Sequence, residues 1–287
     1  MKVEETIKLI EDGNTKFSNL ALAFYKLNIF KLYKPQNIRD IEKKKYLEAL
    51  KKNFDSDSLK IILKKTRKLY ENIGNFYIVK SISARIGYRL VTGMGYPSPV
   101  ENGFLLHHIY GIPYIPGESV KGLVRFMYIY KKFGLEEDFS DKKLEEVKER
   151  VEILEKGKYK KDELNEKDRR FVEIFGTQRE GGKVIFFDAY PESFTKEKLS
   201  IDVMNNHYGE YYSGKGKKPP ADWYNPNPVF FLTLKDVTFI FHIGVEKHTE
   251  DGEYLLNEAL ELLKEGLELF GLGAKRRKGY GWFEVLG

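Results

Sequence analysis

Cysteine is absent from this 287-residue chain. Its absence excludes disulfides, thiolate metal sites and cysteine nucleophiles. No run of about 18 apolar residues occurs, so no segment reads as a membrane-spanning helix. The opening residues, Met1-Lys2-Val3-Glu4-Glu5, lack the apolar stretch of a secretory signal, and a cytoplasmic chain is the expectation. Histidine is scarce, at five residues, and none stands at HExxH-like spacing. No metal and no cofactor is expected. What is plentiful is charge: 32% of residues are Asp, Glu, Lys or Arg, above the usual quarter or so. With abundant Lys and Glu, this composition hints at a thermophile. Hydrophobic residues, at 41%, suffice for a sizeable core.

The charge is unevenly placed. Residues 1–80 carry 18 Lys/Arg against 10 Asp/Glu, and Lys275-Arg276-Arg277-Lys278 adds four cations, while the whole chain is only +6. The remainder is therefore acidic. Concentrated positive charge is the footprint of a polyanion binder; solvated lysines on helix faces are the plain alternative.

Hydrophobic periodicity gives the element order. Residues 1–75 read as helical, with Leu59, Ile62, Leu63, Thr66, Leu69, Tyr70 and Ile73 at helix spacing between lysines. Residues 77–91 change to an imperfect strand alternation. A Gly/Pro-rich loop follows, then a helix from about Ser119 to Tyr130 with Val120, Leu123, Val124 and Met127 on its core face. Residues 136–175 are charge-dense and balanced in sign, which suggests a solvated helical insertion. Strands are expected at 183–188, 237–245 and 280–286. A last helix carries the stripe Leu256, Ala259, Leu260, Leu263, Leu267 and Phe270, stopped by Gly271. Residues 203–228 read as a long loop or extended hairpin rich in aromatics and lysine. A loop of that length is usually functional or disordered. The expected fold is α+β: a ferredoxin-like (RRM-like) βαββαβ core in residues 76–287, with a helical extension at 1–75 and the insertion at 136–175.

Two constellations carry chemistry. In Gly271-Leu-Gly273-Ala-Lys275-Arg276-Arg277-Lys278-Gly279-Tyr280-Gly281, the loop follows a helix and opens a strand, the reverse of a dinucleotide loop. Its glycines permit positive φ and close backbone approach, and its cations can meet successive phosphates. In Pro116-Gly117-Glu118-Ser119-Val120-Lys121-Gly122-Leu123-Val124-Arg125, Lys121 and Arg125 share a helix face. Ser119 stands where the first turn begins and is a candidate cap. A helix start beside two cations makes a phosphate site, and Gly122 leaves room for a close approach. The alternatives are a tight turn with solvated charges, and cations paired with local carboxylates. Ser119, Lys121, Arg125, Gly273, Lys275, Arg276, Arg277 and Lys278 are the candidate RNA contacts. His107 and His108, before the first core helix, are weak candidates for acid–base catalysis.

These two motifs resemble the RAMP superfamily of CRISPR proteins. Phe175-Gly176-Thr177 leading to Gly182-Lys183-Val184 and Asp188-Ala189 resembles the superfamily's second strand. Asp202-Val203-Met204-Asn205-Asn206-His207-Tyr208, with Tyr211-Tyr212 and Pro219-Pro220-Ala221-Asp222-Trp223, is similar to the family of the sixth subunit of the Cmr (type III-B) effector complex. The resemblance covers roughly residues 80–287. It implies a non-catalytic, RNA-binding subunit that caps a guide-RNA-bound backbone at the end distal to the repeat-derived tag and helps engage target RNA. Implied partners are the guide and target RNAs, the repeating backbone subunit, the small helical subunit and the other tip-end RAMP subunit. Tyr208, Tyr211, Tyr212, Lys215, Lys217, Lys218 and Trp223 then stand where backbone subunits carry a base-wedging hairpin; docking on a neighbouring subunit is the alternative. Other RAMP proteins cleave guide precursors, so a guide-processing endoribonuclease is the competing expectation.

Overall fold

The computed structural model describes residues 16–27, 40–98, 100–206, 211–212, 214, 219, 223 and 226–286. They form a mixed α+β protein of two compact units, each drawn from several stretches of chain. Compactness divides the chain otherwise than near residue 75. One unit joins the described parts of 1–62 to 89–113 and 193–237; the other joins 63–88, 114–192 and 238–287.

The first unit contains α1 (Asp40–Asn53), the start of α2 (Asp57–Ile73), and the antiparallel strands β4 (Leu199–Asn206) and β5 (Asn227–Leu234). Leu47, Leu50, Phe54, Leu59, Phe231, Leu232 and Leu234 are buried in its core. Residues 89–113 belong here because their backbone is tied to N-terminal side chains. The Tyr25 hydroxyl donates to the Phe104 carbonyl at 2.7 Å and accepts from the Phe104 amide at 2.9 Å. Asn19 donates to the Ile109 carbonyl, Lys43 pairs with Glu101, and Arg89 pairs with Asp202 at 2.5 Å. Residues 203–228, read as a loop or hairpin, thus include two strand ends, and the strands themselves extend from 199 to 234.

The second unit is built on an antiparallel sheet in the order β2-β6-β1-β7, with β3 also on β6. Its strands are β1 (Tyr77–Ile86), β2 (Val184–Phe186), β3 (Tyr190–Pro191), β6 (Thr238–Glu246) and β7 (Phe283–Leu286). Ile82, Ala84 and Ile86 of β1 alternate into the core beside Phe239, Phe241 and Ile243 of β6, as a period of two requires. Against the sheet pack α3 (Gly117–Lys132) and α6 (Gly252–Leu269). The two helices meet at Gly266, where a Cβ would stand 2.8 Å from Met127 Cγ and 3.0 Å from Leu123 Cγ. The insertion forms α4 (Asp141–Glu155) and α5 (Glu166–Phe175). Phe171 and Phe175 of α5 dock it on Tyr128 of α3, each at 5.8 Å between ring centroids. Truncating a buried ring such as Phe171 costs ~3–5 kcal/mol. Among the described residues no helix is long and apolar enough to cross a membrane.

Candidate nucleic-acid interface

The N-terminus of α3 is capped differently from the expectation. Pro116 is the N-cap, and the helix begins at Gly117. Ser119 lies inside the first turn, where its amide bonds to the Pro116 carbonyl. The capping acceptor comes from 71 residues away: Asp188 Oδ1 accepts from the Gly117 amide at 2.8 Å. A carboxylate therefore already occupies the positive end of the helix, where a phosphate was expected. Gly117 is required there, since a Cβ would lie 2.1 Å from the Phe186 carbonyl oxygen.

The two cations of α3 are engaged as well. Lys121 Nζ donates to the Phe175 carbonyl at 2.7 Å, closing the C-terminal end of α5. Burial, and then the neighbouring Arg125, lower its pKa. Arg125 pairs with Glu155 at the end of α4 and lies over the Phe171 ring. The local-carboxylate alternative thus holds for Arg125. Together these side chains fasten the insertion to α3. Gly122 faces open space, with nothing within 4 Å of a Cβ placed there, so no described part of this chain uses the room it leaves.

The loop after α6 is built for exposure. Gly271 has φ +63°, and a Cβ would fall 2.0 Å from the Gly281 carbonyl oxygen. The two ends of the loop touch there, with the Leu272 amide bonded to that carbonyl at 2.8 Å. Between them Lys275 takes a left-handed conformation, Arg276–Lys278 make one 3-10 turn, and Gly279 reverses the chain at φ +87°. Arg276 donates to the Phe270 carbonyl at 3.2 Å, and its own carbonyl accepts from Trp282 Nε1. Arg276, Arg277 and Lys278 are exposed, and none makes an ion pair with a described residue. Lys275 is half-buried, and Gly273 is exposed with φ +94°.

The topology brings both elements towards one end of the sheet. Ile86, the last residue of β1, pairs with Phe283, the first of β7, so the loop enters the sheet where β1 leaves it. Ile115, two residues before α3, bridges to Ala189, beside the Tyr190↔Ile240 pair, which lies level with Ser83, three residues in from that end. The Phe270 ring packs edge-on against Phe126 and Tyr130 of α3, at 4.8 and 5.5 Å. Two aromatics flank the cationic turn. Tyr88 is 55% exposed and meets Tyr280 edge-on; Trp282 is 38% exposed. In the sequence Tyr88 reads only as a strand residue. Its place beside the loop depends on the Gly87–Trp282 backbone bond, which joins residues 195 apart.

The second face of the sheet carries two strand tyrosines, Tyr77 of β1 and Tyr190 of β3, the latter stacked on Tyr114. It presents Val79, Ser81, Ser83 and Arg85 from β1 and Glu284 from β7. Beside them His242 stacks on Tyr70 of α2 at 4.0 Å, with its Nδ1 2.6 Å from Ser81 Oγ. Tyr70 donates to the Asp188 carbonyl at 3.0 Å.

His107 holds a turn. Its Nδ1 accepts from the Ile109 and Tyr110 amides, and its ring stacks on Tyr110 at 4.4 Å. His108 is exposed. Of the hairpin candidates, Tyr211 and Tyr212 meet edge-on at 5.3 Å, and Tyr212 and Trp223 are 65% and 81% exposed. Tyr208, Lys215, Lys217 and Lys218 lie outside the described residues.

The RAMP superfamily model matches residues 86–284. The Cmr6 subunit of the CRISPR Cmr system of Pyrococcus furiosus is 32% identical over 310 residues, covering 96% of this chain and 88% of that protein. The chain belongs to the RAMP superfamily, in its Cmr6 family. The Cmr6 subunit of Saccharolobus solfataricus is 30% identical over 239 residues, covering 83% of this chain and 65% of that protein. A chain of the type III-B Cmr-beta complex bound to cognate target RNA, solved by cryo-electron microscopy, shares the fold. Its TM-score is 0.63 at 22% identity, covering 100% of this chain and 98% of that one. The RAMP match begins at the last residue of β1, so α1, α2 and nearly all of β1 precede it. Both glycine-bearing motifs of this RAMP chain fall inside the matched region.

Proposed function

We propose that this chain is a non-catalytic RNA-binding subunit of a type III-B Cmr complex. In this reading it caps the guide-bound backbone at the end distal to the repeat-derived tag and helps engage target RNA. The observation that carries the reading is the turn Arg276-Arg277-Lys278. Three exposed cations stand there without acidic partners among the described residues, on a loop whose ends are pinned together at Gly271 and Gly281. A rigid cationic turn binds a phosphate backbone with little ordering cost. Tyr88 and Trp282 beside it supply faces on which bases stack. The sheet order β7-β1-β6-β2, with helices after β1 and after β6, supports a ferredoxin-like core of the expected βαββαβ plan. Recognition then runs along the loop end of that core, where these exposed cations stand.

The competing guide-processing activity needs an acid–base group, and His107 is occupied in holding a turn. Incubating the chain with guide precursor, with and without divalent metal, separates the two. Cleavage lost on His107→Ala or His108→Ala would replace the present reading.

The direct test is the salt dependence of single-stranded RNA binding. Each phosphate contact contributes about −0.7 to the log–log slope. Replacing Arg276, Arg277 and Lys278 by Gln should make the slope shallower by about 2. Replacing Arg125 by Gln should leave it nearly unchanged, because that guanidinium already faces Glu155. An unchanged slope in the loop variant would reduce the loop to a solvated turn.

A further inference from the structure

We infer that the solvent face of α2 is a second RNA-backbone contact, made by Lys64, Lys65 and Lys68. The inference rests on the RNA-binding reading but uses different residues, which precede the region matched to the RAMP superfamily.

All three lysines are exposed, and none forms an ion pair with a described residue. Several cations on other helices have acidic partners within a turn. Lys143, Lys148 and Lys156 of α4 face Glu146, Glu145 and Glu152. Arg170 of α5 faces Glu166, and Lys264 of α6 faces Glu261. In α2 Lys60 pairs with Asp57, but the turns that follow place cation beside cation. Lys64 has Arg67 and Lys68 at three and four residues, and Lys65 has Lys68 at three. Like charges at those spacings repel and destabilise a helix. Arg67, between them, turns to the Glu192 backbone carbonyl and not to a carboxylate. Within residues 63–73 the one acid is Glu71, which pairs with none of these cations. A self-repelling cationic stripe has a use when an external polyanion neutralises it.

The stripe is also aimed. Leu63 is buried, and Tyr70 is held by its stack on His242, an edge contact to Phe187 and a hydrogen bond to the Asp188 carbonyl. These contacts fix the rotation of the helix, so Lys64, Lys65 and Lys68 stand outward. One turn of rise, about 6 Å between residues four apart, repeats the charge along a line, as a phosphate backbone does. An acidic protein is the poorer fit. Protein interfaces centre on clustered apolar or aromatic anchors, whereas the two large apolar side chains exposed on α2, Ile61 and Leu69, stand about 12 Å of helix rise apart.

The test uses the full-length chain and a fluorescein-labelled single-stranded RNA, titrated at several salt concentrations. K64Q/K65Q/K68Q should make the log–log slope shallower by about 2, and K64R/K65R/K68R should restore it. Gln and Lys have nearly equal helix propensity, so the melting temperature should hold. The loop variant R276Q/R277Q/K278Q is run beside it. A slope unchanged in the α2 variant but reduced in the loop variant overturns this inference and leaves the functional reading standing. A slope reduced by the α2 variant alone supports the inference and removes the loop from the reading. Wild-type chain that binds no RNA at low salt overturns both. Loss of a copurifying protein with an unchanged RNA slope would make α2 a protein-docking face, which also overturns the inference.

Discussion

Gly271 follows the end of α6 and Gly122 lies inside α3, and the two glycines do opposite things. Gly271 needs its left-handed φ and has a carbonyl oxygen where a Cβ would go. Gly271→Ala should therefore cost about 1–3 kcal/mol and lower the melting temperature by several degrees. Gly122 is helical with open space beside it. Gly122→Ala should raise stability by up to about 1 kcal/mol. If its room serves RNA, affinity falls in the same variant; affinity and melting temperature moving up together would deny it that role. His242 makes a further residue-scale case. Burial lowers its pKa from 6.5 to about 4, so the unfolded chain takes up the proton first. Its stabilising effect is present above about pH 6.5, falls away between 6.5 and 4, and is fully lost below. Because the ring is partly solvated, the loss should be on the order of 1–2 kcal/mol. Urea unfolding at pH 7 and pH 4.5 should show a drop that His242→Gln reduces. At this scale the sequence made Gly271 readable, because a helix stop is a local matter. It could not reveal that Asp188 caps α3 or that Arg125 faces Glu155, since both partners arrive through tertiary packing.

Among the elements, helices with a clean apolar stripe and strands with strict alternation were legible. The alternation Val237, Phe239, Phe241, Ile243, Val245 places β6 within a residue of where it lies, and the stripe of α6 gives its end to within a residue while the helix starts four residues before the stripe. β5 escaped because it does not alternate: Phe231, Leu232, Thr233 and Leu234 are all buried. A strand covered on both faces reads as a plain apolar run. The insertion was legible as helical, but its attachment was not. Lys121 and Arg125 reach it across 54 and 30 residues of sequence. Both therefore act as ties between helices. Lys121→Met should cost on the order of 1 kcal/mol by leaving the Phe175 carbonyl without its donor, with no change in RNA salt slope. A large slope change would return Lys121 to the RNA surface.

At the scale of the whole molecule, the chain does not divide where its composition changes. The links 89–113 and 193–237 return to the N-terminal helices, and no local signal announces a return made by Tyr25 on Phe104 or Arg89 on Asp202. The β4–β5 hairpin belongs to that unit, and Tyr211, Tyr212 and Trp223 lie in the stretch joining its strands. Three aromatics, two of them largely exposed, cost solubility unless something covers them. A base covers them through stacking worth about 1–3 kcal/mol each, without touching a phosphate. Y211A/Y212A/W223A should therefore weaken RNA binding about tenfold or more while leaving the salt slope where it was. This separates stacking from the charge contacts of the loop and of α2, whose loss must change the slope. A variant that keeps full RNA affinity but no longer copurifies with other complex subunits would assign the aromatics to a protein neighbour.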